Sequence, residues 1–294
     1  MTFQGSGRIE SGRVSAGGSG GSGGGFGGGR IALGGGIGLI VTIVALLFGI
    51  DMGSLTGGGP TSSLGQDVGT TSNNAELQQH IDECTYEKAN DGDSVCIITA
   101  TAQSLDTIWP KLINGYTEPN TVIFSGNINT GCGAASSAMG PFYCPADQTA
   151  YFDPSFFQDL KRMGGSDGSL AQMYVVAHEY GHHVENLLGV LAKGQRMGND
   201  GSVRIELQAD CLAGVWAYHA QEGTGSGYLQ PITEEQIATV IQTARAIGDD
   251  TIQGARSNPE SWTHGSAQQR VRWFQIGYSS GSVRKCDTFA TNDL

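Results

Sequence analysis

The sequence predicts a mixed α+β domain, with strands early and helices late, behind a single N-terminal membrane span. Three observations carry that expectation. Residues 1 to 30 are mostly Gly and Ser, residues 31 to 50 form an uncharged apolar run, and from Ser169 onward the apolar pattern is largely helical. Runs of strands followed by runs of helices indicate α+β rather than alternating α/β architecture.

Residues 1 to 30 read as a disordered tail, because they hold too little apolar surface to offset their ordering entropy. Of the 16 basic and 28 acidic residues, three Arg and one Glu lie in this tail, so the rest carries 13 against 27, a net of −14. That sign argues against nucleic acid as a partner. IALGGGIGLIVTIVALLFGI, residues 31 to 50, has Thr42 as its only polar side chain. At about 1.5 Å per residue, such a run spans a hydrocarbon core of about 30 Å. DMGSLTGGGP, directly after Ile50, is a poor cleavage site, so the run reads as an uncleaved anchor. Arg8, Arg13 and Arg30 precede it, and no Lys or Arg occurs beyond it until Lys88. The positive-inside rule therefore places the N-terminus in the cytoplasm and the main domain outside.

The six cysteines are consistent with export. An even number in an exported domain indicates disulfides, and no C-x-x-C marks a structural zinc knuckle. Proximity favours Cys84 with Cys96 and Cys132 with Cys144, leaving Cys211 with Cys286.

Residues 51 to 74, rich in Gly, Ser, Thr and Asn, read as a flexible linker, and the folded domain is expected over 75 to 294. ELQQHIDECTYEKA is a helical stretch, and a second runs from Ser104 to Ile113 with a kink or restart at Pro110. TVIFSG (121 to 126) and TAYFDP (149 to 154) read as strands. Helices are expected at about 169–193, 203–221, 233–247 and 266–278. Capping boxes start two of them, Thr233 with Gln236 and Ser266 with Gln269.

The chemistry lies in VVAHEYGHHVEN, residues 175 to 186. His178 and His182, four apart, fall about 40° from one another on a helix, one turn up. Two imidazoles so placed can hold one Zn²⁺, and Glu179 lies where it can reach an activated water. Gly181 leaves one side of the helix bare for a neighbour to approach. A catalytic zinc usually takes three protein ligands. The H-E-x-x-H-x-x-G-x-x-H extension is excluded, because the sequence has Glu185 and Leu188 where it needs Gly and His. RIELQADCLAGVWAYHA instead supplies Glu206 and Asp210 on one helical face. Such an acid pair is costly to bury without a positive partner. Glu206 is the expected third ligand, with Asp210 accepting a ring N–H from a ligand histidine. The reverse assignment, Asp210 on the metal, stays open.

At four blocks in order the chain resembles the YpfJ-like family of bacterial neutral zinc metallopeptidases. These are GPFYCPADQTAYFDPSFF (140 to 157), HEYGHHVENLLG (178 to 189), ELQADCLAGVWA (206 to 217) and HGSAQQRVRWFQIG (264 to 277). The resemblance implies a zincin fold of the gluzincin type and a zinc-dependent hydrolase anchored by one span. It implies no particular substrate.

The expected reaction is hydrolysis of a peptide or protein by a zinc-activated water, with Glu179 as general base. His264 is the candidate oxyanion donor and Tyr151 its reserve. By analogy with zincins, residues 149 to 153 are the strand on which an extended substrate pairs. His183, His219 and His80 are expected outside the site, and the four Trp in helix packing. Two other classes stay open: a catalytically silent zinc-fold scaffold of the cell envelope, and a zinc hydrolase of a non-peptide envelope substrate.

Overall fold

The computed structural model describes residues 3–17, 67–221, 227–254 and 256–294. It begins with strand β1 (Val14–Gly17), followed by helices α1 (Asp67–Asp82), α2 (Tyr86–Asn90) and α3 (Ser94–Leu112). Next come β2 (Asn120–Phe124), β3 (Asn127–Thr130), β4 (Gly133–Ser136), β5 (Phe142–Cys144), β6 (Thr149–Phe152) and α4 (Phe156–Arg162). The second half is helical: α5 (Ser169–Leu187), α6 (Val190–Gln195), α7 (Asn199–Ala220), α8 (Glu234–Ala246), α9 (Asp249–Ile252) and α10 (Ala267–Ser280). The architecture is α+β, with the six strands of the described residues all before Asp153 and a helical second half.

Local signals account for most boundaries. Both capping boxes form, at Thr233 and at Ser266. Asp93 starts α3 by accepting the Cys96 N–H at 3.1 Å, so this helix begins well before Ser104. Pro110 lies in its last turn, and the helix ends two residues later at Leu112. The 76-to-89 stretch is two helices rather than one, because Thr85 caps a new start at α2.

The main sheet has the order β1-β2-β6-β5. β1 and β6 both run parallel to β2, and β5 runs antiparallel to β6. This corrects the substrate-strand expectation. β6 is paired on both sides and has no free edge, whereas β5, just before it in the chain, is the edge strand. A short run such as FYC carries too little pattern to be read as a strand alone.

Beneath the sheet, α5 packs against α7, and α7 against α10. The bare side of Gly181 is used: a Cβ there would sit 3.0 Å from Ala209 Cα on α7. The second crossing is closer still. A Cβ on Gly277 would lie 1.9 Å from the Cys211 carbonyl oxygen, so only glycine admits this approach. All three disulfides form as proximity suggested, and Cys211–Cys286 fastens α7 to the C-terminal segment.

The N-terminal tail needs correction over residues 3–17. Phe3, Ile9 and Val14 are buried in the core, at 2%, 1% and 5% exposure. Burial of each is worth roughly 1.5–3 kcal/mol, enough to order a Gly-rich stretch whose composition alone argues otherwise. Order also begins earlier than expected on the other side, at Asp67 rather than near Ala75. The expected span, residues 31 to 50, lies outside the described residues. Among the described residues no helix is long and apolar enough to cross a membrane.

One half-buried carboxyl next to this segment gives a stability test. Burial, reinforced by Glu118 and opposed by Arg13, raises Asp106 to about 7. Between its ordinary value and about 7 the folded state holds the proton more tightly than the unfolded chain, so by linkage stability falls as pH rises. Asp106→Asn should flatten that decline and stabilise the protein at pH 8 by a few kcal/mol, on the order of 1.4 per unit. Urea unfolding of both proteins at pH 5 and pH 8 measures it. Equal pH slopes would show that Asp106 is not the cause.

Candidate metal centre

α5 carries His178, Glu179 and His182, and α7 brings Glu206 alongside. His178 Nε2 lies 3.2 Å from Glu206 Oε2, and His182 Nε2 lies 3.5 Å from Glu206 Oε1. The ligand atoms of His178, His182 and Glu206 all fall within 4.8 Å of one another, and all three residues are buried. The close passage of α7 over Gly181 makes this meeting possible.

Each histidine is oriented from behind. His178 Nδ1 is 2.9 Å from Asp210 Oδ1, and His182 Nδ1 is 2.8 Å from Glu185 Oε2. A proton on each Nδ1 leaves each Nε2 lone pair turned toward Glu206. Asp210 is itself clamped. Arg270 of α10 donates to both its oxygens at 2.9 Å each, and the Tyr174 hydroxyl donates to Oδ1 at 2.5 Å. With both oxygens occupied, Asp210 stands behind the site and Glu206 within it. Arg270 Nη1 also lies 3.7 Å from Glu206 Oε2.

The residues fit a divalent cation. Glu206 Oε2 is buried without a hydrogen bond, and His178 Nε2 faces it at 3.2 Å. An orphaned carboxylate oxygen facing two imidazole nitrogens is a donor set for Zn²⁺. Electrostatics agree. Burial disfavours charge on Glu206, yet His264 and the two ligand histidines outweigh it and hold the carboxyl low. Burial holds His182 neutral, down to about 3. At His178 burial acts the same way, but Asp210 and Glu206 outweigh it and raise the ring to about 10. A cation at Nε2 would take the place of that proton.

Glu179 lies beside this set, with Oε2 buried and without a partner. Burial raises its carboxyl to about 7 and Glu206 adds to the rise, while His178, Arg270 and the Tyr143 amide of edge strand β5 work against it. A cleft opens on these groups, walled by Pro141, Phe156, Met163, Val175 and Ile252, and reached by Glu179 and His264.

His264 is thus brought to the cleft, and Asp249 explains how. Asp249 Oδ2 accepts the N–H groups of Thr263, His264 and Gly265 at 2.8, 2.6 and 3.0 Å. Its Oδ1 lies 3.5 Å from His264 Nδ1, and the Thr263 hydroxyl lies 2.8 Å from the same nitrogen. Tyr151 is elsewhere: its hydroxyl donates to Asp147 at 2.8 Å and its ring stacks on Phe142. His183 bridges the Tyr143 hydroxyl and the Thr117 carbonyl. His219 and His80 also serve structural contacts, to Gly281 and Asp93.

Sequence reasoning missed four contributors: Glu185, Arg270, Asp249 and Tyr174. Glu185 had a signal, being three residues past His182 and therefore on its face. Tyr174, four before His178, had the same one. Arg270 and Asp249 come from distant segments and had none.

Helix-borne His178, Glu179 and His182, completed by a Glu from a following helix, are the residue set of a zinc hydrolase of the H-E-x-x-H class. The chain belongs to the family described as "Putative neutral zinc metallopeptidase", which matches residues 1–289. It is 39% identical to YpfJ of Escherichia coli (strain K12) over 293 residues, covering 96% of this chain and 93% of that one. It is also 55% identical to the uncharacterised protein Rv2575 of Mycobacterium tuberculosis over 210 residues, covering 68% of this chain and 72% of that one. No solved structure matches the chain.

Proposed function

We propose that the protein is a zinc-dependent peptidase that hydrolyses peptide bonds outside the cytoplasm. The observation that carries this is Glu179, whose Oε2 is buried without a partner, set beside a buried His178–His182–Glu206 group. A site that served only to hold the fold together would not need a buried acid with a free oxygen next to its ligands.

Zn²⁺ held by His178, His182 and Glu206 would supply Lewis acidity and bring the pKa of a water toward about 7. Glu179 accepts that water's proton and passes it to the leaving amine. His264, steadied by Asp249 and Thr263, donates to the developing oxyanion. Asp210 and Glu185 keep the ligand rings turned toward the cleft. An extended substrate pairs with edge strand β5, whose Tyr143 amide lies near Glu179, and its side chains meet the apolar wall of the cleft. Disulfides form in oxidising compartments, which supports an extracytoplasmic site of action. Residues 31 to 50 would hold the domain at a membrane.

Metal analysis with peptide-library cleavage tests this reading. The purified protein should hold one zinc and cut peptides, and Glu206→Ala should lose both zinc and cleavage. Zinc bound without any cleavage would favour a scaffold or a non-peptide hydrolase. No zinc at all would remove the reading.

A further inference from the structure

The N-terminal segment is built into the domain that contains the metal centre. β1 pairs in parallel with β2 over four residues, Val14 with Thr121 through Gly17 with Phe124. Upstream of it, the Ile9 N–H donates to the Cys84 carbonyl at 2.9 Å, and the Tyr86 N–H donates to the Gly7 carbonyl at 3.1 Å. Asn90 grips the Phe3 backbone from both sides, accepting its N–H at 3.0 Å and donating to its carbonyl at 3.2 Å. The Ala16 N–H reaches Gln78 Oε1 at 2.9 Å. Phe3, Ile9 and Val14 belong to the same apolar core as Tyr174 and Val176 of the metal-bearing helix. Arg13 faces Glu118 at 3.6 Å and opposes the rise of the half-buried Asp106 carboxyl.

These contacts have a topological consequence. Residues 3–17 and 67–294 enclose the 31-to-50 apolar run in the sequence, and a 20-residue run can cross a bilayer once at most. One crossing would put the two parts on opposite sides, where β1 could not reach β2. The flanking charges, read by the positive-inside rule, place the N-terminus in the cytoplasm. Backbone pairing and core burial require the reverse.

We propose that residues 3–17 lie in the same compartment as the metal centre, as an edge strand of its sheet. The inference stands apart from the chemistry proposed above, since it rests on the sheet and not on the metal.

Two measurements on the full chain in cells test it. In the first, Ser6→Cys and Ala192→Cys, both at exposed positions, are treated separately with a membrane-impermeant maleimide in intact spheroplasts and after lysis. The expected result is equal behaviour, within about twofold. Labelling of Ala192→Cys in intact cells with Ser6→Cys reacting only after lysis, a difference of tenfold or more, overturns the proposal. In the second, Ser15→Cys is combined with Val122→Cys, register partners on β1 and β2, and a protease site is placed between residues 51 and 66. After cleavage the two pieces should stay linked until a reductant is added. Pieces that separate without reductant overturn it.

Discussion

Glu179→Gln is expected to keep its zinc and lose peptide cleavage by about 10²- to 10⁴-fold, the range removed with a general base. The loss should fall on kcat more than KM, because the cleft walls and the metal ligands are untouched. Gln matches Glu in shape but cannot take a proton from the attacking water. Stability should hold or rise. Burial has already raised this carboxyl to about 7, and an amide is less costly to bury than a carboxylate. Metal content, steady-state cleavage and thermal melting, run side by side, check all three expectations. Cleavage at the wild-type rate would remove Glu179 from the chemistry. Loss of zinc would make it a ligand or a support for one.

Arg270→Met is expected to be the most destabilising single change near the site. Arg270 is 2% exposed and Asp210 fully buried, and Arg270 supplies two of the four hydrogen bonds that reach that carboxylate. Removing one partner of a buried pair costs about 3–5 kcal/mol, because the other charge is left without compensation. For a domain of this size that is a Tm lowered by roughly 10 °C. Zinc affinity should fall about 10- to 100-fold as well, since Asp210 orients His178. Thermal unfolding with and without zinc measures both effects. A Tm shift within about 2 °C would show that Asp210 does not depend on Arg270.

Legibility of the site depended on where its partners lie in the chain. His178, Glu179 and His182 share one helix, and helical spacing alone puts them on one face. Glu206 and Asp210 were legible for a similar reason, an acid pair on an apolar helix face. Even so, their division of labour became visible only once Arg270 and Tyr174 were seen to occupy Asp210. His264 was found through its capped helix. Asp249, which holds it, gave no local signal, because its partners are backbone N–H groups fourteen to sixteen residues away.

The same division runs through the fold. By itself the sequence determined the helical second half, both capping boxes and the spacing of the His-Glu-His set. Each of these depends on neighbours within a few turns or on residue type. Tertiary structure alone decided that the N-terminal segment is a strand, that β5 and not β6 is the free edge, and that Arg270 locks Asp210. Sheet order and buried ion pairing join residues far apart in the chain. The free energy that orders such segments lies in the partner surface, which composition and periodicity do not record.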